Sequence, residues 1–137
     1  MDRKALQALS RVRLVEAKAL LNAGLPDGAY YLAGYAVECA LKACIAKEKQ
    51  RYEFPEKKRV NASHTHDLRE LVKVANLEGP WEAAAKENAE FRKYWNVVQS
   101  WSEQSRYARH SSQSAQALIE AINNRKHGVI KWVKHYW

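Results

Sequence analysis

The sequence predicts an all-α protein, an up-and-down bundle of four to five helices. Apolar residues recur near the helical period through several long segments, and no segment shows the strict alternation of a half-buried strand. No internal repeat suggests a solenoid. At 137 residues the chain has the length of one domain, 1–137, able to bury a core without metals or disulfides.

The first helix is expected over residues 3 to 22, with Ala5, Leu9, Val12, Val15, Ala19 and Leu20 as its apolar face. "NAGLPDG" ends it: Asn22 and Gly24 suit a helix C-terminus, and Pro26 with Asp27 suits a turn and a new start. The second helix runs from about Asp27 to Lys49, with Ala29, Ala33, Ala36, Ala40, Leu41 and Cys44 on one broad face that admits a close neighbour. Gly34 is unfavourable inside a helix by up to about 1 kcal/mol relative to Ala, which points to tight packing there or to a nearby ligand, packing being the first expectation. Glu38, in the middle of this apolar helix, either pairs outward with Lys42 or turns inward to hold a cation. Arg106 is the expected cation, tying the second helix to the joint before the last one.

The segment from Lys47 to His66 breaks the period, contains Pro55 and concentrates Lys57, Lys58 and Arg59. It reads as a long basic loop, the expected electrostatic contact surface. A short third helix follows at about 66 to 76, capped by Thr65 or Asp67, with Leu68, Leu71, Val72 and Ala75 buried. "EGP" resets the chain before a fourth helix at about 81 to 101, patterned by Trp81, Ala84, Ala85, Ala89, Phe91, Tyr94, Trp95, Val98 and Trp101. The fifth begins near Ser112 or Ser114 and runs through Leu118, Ile122, Ile130 and Val133, with Gly128 as a point of kinking.

Composition narrows the function. An apolar fraction of 47% argues against disorder, and 28% charged residues with no apolar run of roughly 18 to 20 residues argue against a membrane span. The start "MDRKALQALS" reads as a charged amphipathic helix rather than a secretion leader, so the expected compartment is the cytoplasm. Cys39 and Cys44, about 140° apart around one helix, are expected as reduced core residues. His64 and His66 form an H-x-H without a clear third ligand; hydrogen bonding at a helix start is expected and no metal. A formal charge of +8 favours an anionic partner such as RNA, DNA, a nucleotide or an acidic protein patch. Tyr30, Tyr31 and Tyr35 either stack a base or belong to the core or a dimer interface.

Three stretches carry a resemblance: "LLNAGLPDGAYYLAGYAVECALKACIAK" at 20 to 47, "HTHDLRELV" at 64 to 72, and the segment from "SRYARHSS" at 105 to 112 through the C-terminal residues. Together they resemble the HEPN family, the nucleotide-binding helical domains of higher eukaryotes and prokaryotes, over nearly the whole length. The resemblance implies a bundle of four or five helices that forms homodimers, and a small nucleotidyltransferase as partner in a two-gene, toxin–antitoxin-like system. It also implies RNA or nucleotide as ligand. Some members are metal-independent endoribonuclease toxins that need no cofactor; others are non-catalytic binding or assembly modules.

The ribonuclease members share an arginine followed, after four to six intervening residues, by a histidine near the start of the last long helix. Histidine, titrating near neutrality, suits proton transfer to and from the reacting oxygens, and a permanently charged arginine suits the phosphorane. Arg106 occupies the arginine's place, and positions 111 to 113, where the histidine would fall, are Ser111, Ser112 and Gln113. His110 follows Arg106 after only three residues. The catalytic pair that the resemblance implies is therefore Arg106 and His110, one residue short of the motif, with Arg109 and Tyr107 beside them for RNA or nucleotide binding.

Overall fold

Seven α-helices and one 3-10 turn make up the described residues, 1–51 and 64–137, of the computed structural model. In chain order they are α1 (Arg3–Asn22), α2 (Pro26–Arg51), α3 (Leu68–Val74), α4 (Glu78–Glu87), α5 (Ala89–Val98), the 3-10 turn (Glu103–Tyr107), α6 (Ser112–Asn123) and α7 (Val129–Lys134). The protein is all-α, with no strand among the described residues. None of its described helices is long and apolar enough to cross a membrane.

Five expected helices become seven because two are interrupted by asparagines. Asn88 adopts an extended conformation (φ −129°, ψ 102°) that ends α4 and caps α5, its Oδ1 accepting the Phe91 N–H at 3.1 Å. Asn124 (φ −53°, ψ 133°) ends α6, and its Oδ1 accepts the N–H groups of Lys126 and His127 in the turn that follows. At Gly128 the chain passes so close to itself that a Cβ would lie 2.6 Å from the Ile122 carbonyl oxygen, so the expected kink is a full break. Pro80 falls in the first turn of α4, where its missing N–H leaves no hydrogen bond unmade.

The second helix is the axis of the bundle. α1, α3, α6, α7 and the 3-10 turn all pack on it. Ala29, Ala33, Ala36, Val37, Ala40, Leu41 and Ala43 along it are wholly buried. Its small residues let α1 lie close, and α1 answers with Leu6, Ser10 and Ala17, the Ser10 hydroxyl donating to the Ala36 carbonyl at 2.7 Å. This turns α1 away from the expected face: Val12 and Val15 are exposed. The expected stripe of α3 is buried as read, at Leu68, Leu71, Val72 and Ala75, with Asp67 as the cap.

Gly34 is the closest approach in the bundle. A Cβ there would stand 2.2 Å from the ring of Trp101, which is 3% exposed and seats the chain against α2 just before the 3-10 turn. Burial, the larger cause in each case, pushes the thiols up to about 11 at Cys39 and about 12 at Cys44, and both cysteines are free.

Two outcomes follow. Gly34→Ala lowers stability by about 1–3 kcal/mol through overpacking against Trp101, read as the urea midpoint; a wild-type midpoint contradicts the contact. Because neither thiol ionises near neutrality, iodoacetamide labels Cys39 and Cys44 only after denaturant is added, and rapid labelling of the native protein contradicts their burial.

Candidate nucleic-acid interface

The chain between α5 and α6 is pinned from beneath at several points. Trp101 fills the space over Gly34. The Ser105 backbone N–H donates to the Ser102 carbonyl at 2.9 Å and the Ser102 N–H to the Ser105 hydroxyl at 3.2 Å, closing the 3-10 turn on itself. At the far end Asp27, in the first turn of α2, accepts the His110 backbone N–H at 2.6 Å, and its second oxygen lies 3.8 Å from Arg109 Nε. Ser111 then caps α6 through the Ser114 N–H.

His110 is held in two ways. Its ring stacks on Tyr30 with centroids 3.8 Å apart and planes 10° from parallel, and its Nε2 lies 3.1 Å from the Ser105 carbonyl oxygen. A carbonyl only accepts, so Nε2 carries a proton and the remaining nitrogen, Nδ1, is the acceptor of the neutral ring. Burial raises the Tyr30 phenol above its ordinary range, which keeps that platform uncharged.

Three of the expected binding side chains project outward from this pinned segment. The Arg106, Tyr107 and Arg109 residues are all exposed, Arg109 with 95% of its side chain free. The Arg106 guanidinium lies 4.9 Å from the Tyr107 ring centroid. Tyr107 first, then Glu103 and Tyr31, raise Arg106 further above its already high range, so its charge is permanent. Tyr31 is half-buried and stacked between Trp101 at 6.0 Å and Tyr35 at 6.2 Å. Burial, and less strongly Cys39 and Glu38, raise the Tyr35 phenol. These two tyrosines form a row leading from Arg106 into the bundle. Lys57, Lys58 and Arg59 lie outside the described residues.

The expected Glu38–Arg106 pair is replaced by a chain of pairs. Glu38 is 2% exposed, and both of its oxygens lie 3.1 Å from His66 Nδ1, while Lys42 Nζ stands 3.3 Å from Oε2. His66 Nε2 lies 3.5 Å from Glu103, and the other oxygen of Glu103 lies 3.3 Å from Arg106. His66, placed just before the Asp67 cap of α3, reaches Glu38 first, and Arg106 stays at the surface beside its i−3 neighbour Glu103. Sequence reasoning missed both intermediates. The signals were the Glu38 carboxylate amid apolar residues and, for His66, an H-x-H with no third ligand; nothing in the sequence marks Glu103. No metal-holding group of histidine, cysteine and carboxylate side chains occurs among the described residues. Beside this chain lies a cleft of about 470 Å³, lined by His66, Arg69, Trp101, Ser102, Glu103 and Gln104 among others.

The sequence profile of the HEPN domain matches residues 7–136. No match of significance occurs among curated proteins or solved structures.

The Asp27 contact yields a direct check. Asp27→Ala removes the acceptor for the His110 N–H and a favourable charge at the start of α2, so stability falls by about 1–2 kcal/mol. The His110 amide then exchanges its hydrogen faster, and an unchanged exchange rate contradicts the pinning.

Proposed function

The chain belongs to the HEPN domain family, and on that premise we propose that it binds nucleotide or nucleic acid through the edge formed by Arg106, Tyr107 and Arg109. The observation that carries this reading is the pairing of two exposed guanidiniums with an exposed phenol on a turn fixed from below. A guanidinium presents a planar fork that matches two phosphate oxygens, and an exposed aromatic ring offers a stacking face to a base. The half-buried row of Tyr31 and Tyr35 extends the same edge. The formal charge of +8 draws polyanions toward it. In this reading the protein works as a homodimer, with a small nucleotidyltransferase-like protein as the second component of a two-gene, toxin–antitoxin-like system.

A second reading is favoured by one specific feature. His110 is held by a stacked ring beneath it and a carbonyl on Nε2, the way a general base is oriented by a third group, and its Nδ1 is an acceptor. With Arg106 on the phosphate, the pair would cleave RNA without metal: Nδ1 takes the 2′-hydroxyl proton, the oxygen attacks the adjacent phosphorus, and the bond to the 5′-oxygen breaks as that oxygen takes a proton from solvent water. The spacing one residue short of the family motif would turn His110 by about 100° in a continuous helix; here the 3-10 turn ends at Tyr107, and Ala108 and Arg109 before His110 are non-helical.

Binding and cleavage separate these readings. Arg106→Ala and Arg109→Ala each weaken binding of a short single-stranded RNA by about three- to tenfold and reduce its salt dependence by about one counterion. Equal affinity in all three proteins overturns the assignment of the edge. Incubation with RNA in EDTA tests catalysis: cleavage that disappears in Arg106→Ala and His110→Ala supports the ribonuclease, and its absence in the wild type, or persistence in both variants, contradicts it.

A further inference from the structure

We infer that His66 and Glu103 are positioning residues for Arg106, the links through which the buried carboxylate of Glu38 controls how free that guanidinium is to meet phosphate. The inference rests on the reading of Arg106 as a phosphate contact.

The geometry defines the chemistry of each link. Glu38, nearly without solvent, accepts from Lys42 and from His66 Nδ1. The opposite ring nitrogen of His66 faces the Glu103 carboxylate at 3.5 Å. A neutral imidazole satisfies one carboxylate with its single N–H and turns a lone pair toward the other, whereas an imidazolium presents N–H to both. His66 thus stands between two carboxylates, with Glu38 at one ring nitrogen and Glu103 at the other.

Glu103 is then shared. One of its oxygens faces His66 and the other faces Arg106 at 3.3 Å. While His66 faces one oxygen of this carboxylate, Arg106 shares Glu103 with it and keeps donors for a ligand. Without that ring, Glu103 is free to close on Arg106 as an ordinary ion pair and competes with phosphate for the same fork.

The other charged groups around the ring do not take over its role. Lys42 is committed to Glu38. Asp67 spends its Oδ1 on the Arg69 and Glu70 N–H groups at the start of α3. Arg69 lines the same cleft as His66 and Glu103 but forms no ion pair with Glu103 among the described residues. The link from Glu38 to Arg106 thus runs through His66 and Glu103 and joins three elements distant in sequence: α2, the segment before α3 and the 3-10 turn.

The test uses anisotropy of a short fluorescein-labelled single-stranded RNA, in slightly acidic, low-salt buffer, with circular dichroism to verify folding. His66→Gln, which keeps a donor for Glu38 but lacks the opposite ring nitrogen that faces Glu103, weakens binding by about two- to fivefold, and Glu103→Gln tightens it by about two- to fivefold. Because His66 acts through Glu103, the double variant H66Q/E103Q binds like E103Q alone. A His66→Gln defect of the same size with or without Glu103 overturns the inference, since a merely structural role gives additive losses. If His66→Gln fails to fold, the pair E103Q and E103Q/R106A decides it: the gain from E103Q disappears without Arg106 if the inference holds, and a gain that persists, or none at all, refutes it. Unchanged binding by Arg106→Ala alone is a different failure, that of the proposed contact edge itself.

Discussion

The structure depends on how one buried carboxylate is compensated. Glu38 sits in the middle of the helix that α1, α3, α6, α7 and the 3-10 turn pack against, among alanines, Val37 and Leu41 that see no solvent. An ionised carboxylate in such surroundings is tolerated only with close cationic and hydrogen-bonding partners. Lys42 supplies one from the same helix, and His66 supplies the other from a segment 28 residues away in sequence. Meeting that requirement fixes the segment before α3 against α2 and, through Glu103, brings the 3-10 turn into register beside it.

The apolar side of the same joint is the Trp101–Gly34 contact. A residue without a side chain on α2 admits an indole that would otherwise be held about a side-chain radius further out, and the chain leaves that indole directly into the turn carrying Arg106 and Tyr107. Packing and electrostatics thus converge on the segment 101–112. Asp27 and Tyr30 fasten its other end to the start of α2. The result is a segment held at both ends beneath exposed cationic side chains.

Much of the fold was legible because its signals are local. The α2 alanine face, the α3 stripe and the meaning of Gly34 all follow from helical spacing and the intrinsic demands of single residues. Errors arose where a distant element overrode local pattern. In α1, Val12 and Val15 look like a core face, but α2 offers a surface of small residues, and Ser10 and Ala17 fit it more closely while the valines remain outside. Asn88 and Asn124 interrupt continuous apolar periodicity because their side chains cap backbone N–H groups, and an asparagine in a polar helix face looks the same in sequence. At the candidate site, Arg106, Tyr107 and Arg109 are proposed from the segment itself, and the structure shows all three exposed. Glu38 was recognised as needing a cation, but the choice of His66 over Arg106 is set by tertiary placement, which spacing does not encode.

The central claim is that Glu38 and Arg106, which do not touch, are connected through His66 and Glu103. The most direct measurement is the side-chain Nε–H resonance of Arg106 in isotope-labelled wild type and Glu38→Gln, with RNA absent. The account predicts that the substitution shifts both the His66 ring nitrogens and the Arg106 Nε–H, and that the Arg106 shift vanishes when His66→Gln is already in place. An Arg106 resonance indifferent to Glu38 while the His66 nitrogens move would contradict it.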